Sequence, residues 1–149
     1  MRFHVSTSNQ SVTVFDGMQS VWSAPVSTSK FGLGEESGSH CTPRGLHRVC
    51  EKIGAGAAWG TVFKSRLLTG QIWTPDQITE EDLILTRILW LDGVEPHNSN
   101  SRERYIYFHG TNQEDRIGTP ASIGCIRLRN DDIIRLFDYA EVGTEVVIE

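Results

Sequence analysis

The chain is short of several things. It has three cysteines, five prolines and two methionines in 149 residues, and no apolar run that approaches the length of a membrane span. Three cysteines cannot all pair within one chain, so at least one thiol is expected to be free unless it pairs with another chain, and the count leaves a Cys41–Cys50 pair open. Positive charge is also scarce: 14 Lys and Arg stand against 19 Asp and Glu, a net charge of −5, which argues against nucleic acid or an acidic membrane surface as partner. Met1 to Ser20 shows no basic patch followed by an apolar stretch, and with at least one free thiol this sets the expectation of a cytoplasmic protein, or of a periplasmic one if an export segment is missing from this chain. A hydrophobic content of 38% with 22% charged residues fits one ordinary globular domain over residues 1–149.

What is present reads mainly as β structure. Phe3 to Val5, Ser11 to Phe15 and Gln19 to Trp22 alternate or end at turns, and Leu46 to Ile53 repeats the pattern. Ile84 to Leu91 and Tyr105 to Phe108 are strongly apolar and predict the buried middle of a sheet. Lys30 to Gly45 (KFGLGEESGSHCTPRG) is turn-rich and too long for a hairpin connection. Thr79 before Glu80, Glu81 and Asp82 predicts a capped helical turn. The one clear helix is Asp131 to Ala140, capped by Asn130, with Ile133, Leu136, Phe137 and Ala140 on one face. Val146 to Ile148 closes the chain as a strand. The fold class is therefore mainly β with one principal α-helix.

The chemistry gathers in YFHGTNQEDRIGTPASIGCIRL, Tyr107 to Leu128. A strand delivers His109 into a loop that returns to Ser122, Gly124 and Cys125. A thiol is a poor nucleophile until it loses its proton, and an imidazole beside it can take that proton. Gly124 permits close backbone approach, and the amides of Gly124 and Cys125 are candidate oxyanion donors. Taken singly, these residues have plainer readings: a cysteine is more often a small core hydrophobe than a catalyst, and Arg127 suits an ordinary ion pair. His40, Cys41, His47 and Cys50 are residue types that bind zinc, but their spacing fits no common zinc motif, so no metal and no other cofactor is expected.

The combined pattern resembles the L,D-transpeptidase (YkuD-like) family. The match is an HGT turn, then Ser-x-Gly-Cys-Ile-Arg-Leu and an Asn before an acidic helix start, with TPRGLHRVCEKIG from Thr42 to Gly54 resembling the family's TPxGxxxVxxKxG segment. It extends over roughly residues 28–149. The resemblance implies a mainly β catalytic fold in which Cys125 is the nucleophile and His109 the base, with the Gly110 carbonyl as partner of the second ring nitrogen. It makes Arg127 either part of the site's architecture or a contact for a substrate carboxylate, and puts Ser122, Tyr107 and His47 near the substrate. The implied partners are peptidoglycan stem peptides. In the family the thioester left by D-alanine is resolved by water or by an amine. With no export signal visible, a cytoplasmic L,D-carboxypeptidase that trims recycled tetrapeptide fragments is the preferred expectation, ahead of a 3-3 crosslinking transpeptidase and of a non-catalytic fragment binder. One departure stands out: the family's usual Ser-His-Gly-Cys is Ser122-Ile123-Gly124-Cys125 here.

Overall fold

The computed structural model describes residues 1–149. Ten strands and one α-helix follow in the order β1 (Arg2–Ser6), β2 (Ser11–Asp16), β3 (Gln19–Pro25), β4 (Gly45–Ile53), β5 (Thr61–Lys64), β6 (Leu67–Ile72), β7 (Ile84–Gly93), β8 (Tyr107–Gly110), β9 (Ile126–Leu128), α1 (Asn130–Tyr139) and β10 (Glu145–Ile148). Mainly β with one principal helix is what the patterning predicts. The strands form one sheet in the order β3-β2-β1-β10-β4-β7-β5-β6, from which β8 branches off β7 and carries β9. Most pairs are antiparallel; β1 with β10 and β8 with β9 are parallel.

Alternation decides which side of each strand is dry. Phe3, Val5, Val12 and Val14 point one way from β1 and β2 and join a core of 19 buried residues that includes Leu89, Leu91, Phe108, Ile126 and Leu128. Helix α1 covers this core with Ile133, Leu136, Phe137 and Ala140, the four positions its sequence spacing selects. The helix is fastened at both ends. Glu114 Oε2 accepts the Asn130 amide at 2.7 Å, a carboxylate at the positive end, and Lys52 Nζ donates to the Ala140 carbonyl at 2.7 Å at the other.

Three expectations are corrected. Asn130 does not cap the helix with its side chain: that side chain is drawn inward, accepting from Thr86 and donating to Thr111 and Glu114. No helical turn forms after Thr79; its hydroxyl accepts the Glu81 amide at 3.2 Å in a two-residue turn and the chain runs on into β7. The apolar run at Tyr105 starts late, because Tyr105 sits in the left-handed region (φ +57°) and β8 begins only at Tyr107. The β5–β6 hairpin was not visible in the sequence.

Candidate active site

The parallel pair β8–β9 sets the geometry. Phe108 faces Ile126, His109 faces Arg127 and Gly110 faces Leu128. Phe108, Ile126 and Leu128 enter the core, so the alternate residues Tyr107, His109 and Arg127, with Cys125 just before β9, belong to the opposite face. Cys125 thus stands level with Tyr107, one strand across and two residues along from His109. With strands ~4.8 Å apart and ~3.3 Å per residue, the two backbones are about 8 Å apart on the diagonal, a gap that an imidazole and a thiol can close between them.

The imidazole is fixed from behind. His109 is buried, and its Nδ1 donates to the Gly110 carbonyl at 2.6 Å, which leaves the proton off Nε2 and its lone pair available as a base. Gly110 is obligatory here, since a Cβ would lie 2.4 Å from Asn130 Oδ1 and 2.7 Å from the Leu85 carbonyl. Beside it β7 bulges between Leu85 and Ile88, with Thr86 at φ +76°, an uncommon conformation for a β-branched residue. The Thr86 hydroxyl bonds Asn130 at 2.6 Å, so Asn130 locks both the bulge and, through Thr111, the loop that leaves His109.

Cys125 is half-buried, and its Sγ donates to the Tyr105 carbonyl at 3.3 Å rather than to His109. Desolvation pushes the thiol up to about 12, against the pull of the Tyr107 amide, with the Asp82 carboxylate raising it further and Arg127 and Arg104 drawing it down. Burial holds His109 below the ordinary histidine value; Asp82 and the Gly110 carbonyl oppose this and Arg127 adds to it. Both groups rest neutral at neutral pH. A thiolate–imidazolium pair is therefore not preformed. Alkylation of Cys125 by iodoacetamide in the free protein is expected to be slow at pH 7 to 8 and to climb about tenfold per pH unit into the alkaline range. A fast rate that is flat from pH 6 to 8 would contradict this resting state.

The open side of Cys125 is a pocket of about 310 Å³ lined by Ser65, Arg66, Ile84, Tyr105, Tyr107 and the thiol itself. A thiol in front and an imidazole behind is an arrangement suited to acyl transfer. Of the residues expected near substrate, Tyr107 lines this pocket. The others do not. Arg127 is 0% exposed, bonded to Asp82 (3.0 Å), Gln113 (2.7 Å) and Ser27 (3.0 Å), so it has no face to offer a substrate carboxylate and belongs to the architecture of the site. His47 is fully buried between the Gly45 carbonyl and the Ser101 hydroxyl, where it pins the 94–106 loop to β4. Ser122 is buried with its hydroxyl on the Cys125 carbonyl at 2.7 Å, shaping the loop rather than the pocket. Gly124, at φ +132°, has the backbone conformation that favours glycine, but its amide donates to Ser122 Oγ at 3.2 Å, which leaves the Cys125 amide as the free oxyanion donor of the two.

Two contributors were missed in the sequence. Asp82 holds Arg127 from 45 residues away, and Arg66 reaches the pocket from the tip of the unforeseen hairpin. All three cysteines are free thiols. His40, Cys41, His47 and Cys50 are not gathered: the Cys41 thiol lies against the Phe31 carbonyl at 3.5 Å, and His47 is occupied as described. No helix is long and apolar enough to cross a membrane.

A mainly β sheet that sets a free thiol and a buried imidazole two rungs apart across the β8–β9 pair suits a cysteine acyl-transfer enzyme, and comparison with known proteins gives the family. Residues 1–148 match the YkuD family, described as the L,D-transpeptidase catalytic domain, and the chain belongs to it. A 45-residue stretch is 58% identical to a Salmonella typhimurium protein named "Probable L,D-transpeptidase ErfK/SrfK", covering 30% of this chain and 15% of that one. A 43-residue stretch is 51% identical to "Probable L,D-transpeptidase YbiS" of Escherichia coli, covering 29% and 14%. Among solved structures, an L,D-transpeptidase from Mycobacterium smegmatis superposes with a TM-score of 0.60 at 18% identity over 99% of this chain and 57% of that one. One from Xylanimonas cellulosilytica gives 0.63 at 18% over 99% and 59%. The chain thus spans less than two thirds of the length of these proteins, and the structural likeness establishes the shared fold.

Proposed function

We propose that the protein is a cysteine L,D-peptidase that takes peptidoglycan tetrapeptide stems as acyl donors and water as acceptor, an L,D-carboxypeptidase. The observation that carries the reading is the pair itself: a half-buried thiol opening on a pocket, with a buried imidazole, its Nδ1 already committed, on the adjacent parallel strand. Cys125 Sγ attacks the carbonyl carbon of the bond to D-alanine while its proton passes to His109 Nε2. The negative oxygen that forms is met by the Cys125 amide. On collapse the C–N bond breaks, the leaving amine takes the proton from Nε2, and a thioester remains. Water then attacks the thioester, His109 accepts a proton from it, the C–S bond breaks, and the sulfur recovers its proton.

Water is favoured as acceptor by the charge of the pocket. Arg66 is the one charged side chain lining the pocket that opens on Cys125, a cation that repels an ammonium-bearing acceptor there, while the Glu81 and Asp82 carboxylates lie in the adjoining cavity. The same proposal makes soluble disaccharide-tetrapeptide fragments, met in the cytoplasm during recycling, the natural substrate. Transfer to an amine is the second reading. It draws on the relatives' names and on an adjoining cavity of about 290 Å³ that shares Ser65 and Ile84 with the first and includes Glu81 and Asp82, side chains suited to an ammonium group.

Mass spectrometry of the products from a purified disaccharide-tetrapeptide separates the two. Tripeptide and free D-alanine are expected, with little dimer even when acceptor peptide is present at millimolar concentration. Dimer exceeding hydrolysed product would establish the second reading.

A further inference from the structure

Arg66 occupies the tip of the β5–β6 hairpin. Ser65 and Arg66 both lie in the left-handed region, at φ +50° and +65°. A two-residue hairpin turn of this kind is normally built with Asn-Gly, because side chains raise its energy. Here two residues with side chains hold it, and the result is a guanidinium laid over the pocket that contains Cys125. Its Nη1 donates to the Tyr107 hydroxyl at 3.0 Å, and its carbon lies 4.8 Å from the Trp90 ring centre and 4.9 Å from that of Tyr105. The aromatic rings hold the cation in place, but they do not neutralise it.

No carboxylate forms an ion pair with it either, Glu51 acting on it only from beyond salt-bridge distance. The acids that form ion pairs, Glu35, Asp82, Glu95 and Glu149, are engaged with Arg44, Arg127, His97 and His4. A guanidinium has five N–H donors in a planar fork, and Tyr107 takes one of them. A positioned, unpaired fork beside a nucleophile suits a bidentate carboxylate.

We propose that Arg66 is a specificity-determining residue that binds the C-terminal carboxylate of the stem peptide, the carboxylate of the residue that leaves. This rests on the peptidase reading above. Successive carbonyl carbons of a peptide are at most ~3.6 Å apart, so a carboxylate one residue beyond the attacked carbonyl falls inside the pocket that holds the thiol. The carboxylate at the end of the diamino acid side chain lies several bonds further away. Held in this manner, the substrate presents only its last peptide bond to Cys125, and amidated or extended stems lose the contact.

The test separates recognition from turnover. Binding of the disaccharide-tetrapeptide, of its C-terminal amide and of the form amidated on the diamino acid side chain is measured calorimetrically on Cys125→Ala protein, alone and combined with Arg66→Gln or Arg66→Lys. With Arg66 present, the free acid should bind roughly 10- to 100-fold more tightly than the C-terminal amide. Arg66→Gln should abolish that preference without weakening the amide, and Arg66→Lys should restore part of it. In protein that retains Cys125, Arg66→Gln should raise KM for the acid more than it lowers kcat. Equal weakening of acid and C-terminal amide would overturn the proposal and reduce Arg66 to a strap for the hairpin; sensitivity only to side-chain amidation would overturn it in favour of the other carboxylate. Preference for the acid without any release of D-alanine by the unmodified protein would sink the peptidase reading and leave Arg66 in its role. Failure to bind either form would remove both.

Discussion

Cys125→Ala is expected to leave a folded protein that releases no measurable D-alanine, a loss of roughly 10⁴-fold or more, because removing a nucleophile removes the covalent route altogether. The fold should survive, since the thiol donates a single hydrogen bond, to the Tyr105 carbonyl, and its removal opens only a small space beside a pocket that is already open. Cys41→Ala and Cys50→Ala serve as controls and should keep most activity, as neither residue lines that pocket. Product release followed by mass spectrometry, with unfolding temperature and circular dichroism in parallel, checks all three. Full turnover by Cys125→Ala would refute the nucleophile assignment. In the unsubstituted protein, an acyl adduct on Cys125 trapped with a slowly hydrolysed substrate would locate the thioester directly.

His109→Ala should lower kcat/KM by roughly 10² to 10⁴-fold, the usual contribution of a positioned base. The pH profile adds a signature that mere loss of packing would not give. The attacking form has neutral His109, and burial keeps that imidazole below the ordinary histidine range. Activity in the unsubstituted protein should therefore be flat through neutral pH and fall only as the pH drops through the lowered value, where the base takes up a proton. In His109→Ala that acid limb should be gone. Stability follows the same sign: an unfolded chain binds the proton at a higher pH than the buried ring does, so this residue's contribution declines as the pH falls below the ordinary histidine value.

How far the sequence reveals this arrangement depends on how local each cause is. Alternation in RFHVS and SVTVFD and the apolar run in ILTRILWL make β1, β2 and β7 readable, because burial on one face or both is imposed residue by residue. The helix is readable for the same reason. The β6 strand is not: all six residues of LLTGQI are exposed, so no face is selected and no period appears, and the turn at Ser65-Arg66 lacks the glycine or asparagine that would announce it. Asn130 has the composition of a cap and would serve as one, but Thr86 and Thr111 offer its side chain partners inside the protein. Cys125 and His109 stand out by motif. The burial of Arg127 and His47 depends on Asp82 and Ser101, 45 and 54 residues distant in the chain, which no local pattern encodes.

The β8–β9 ladder also bears on how such a site can evolve. The spacing of thiol and imidazole is measured by hydrogen-bonded rungs, not by the length of the segment between them, so insertions and deletions between the two strands can alter what surrounds the pocket without moving the reacting atoms. Within the strands the tolerance is reversed. Adding one residue to β8 between Tyr107 and His109, or to β9 beside Cys125, would turn the imidazole or the thiol toward the hydrophobic interior and part the pair with both residues still encoded. Divergence in length is thus confined to the connection, and the two short strands become a frame that drift can decorate but not shift.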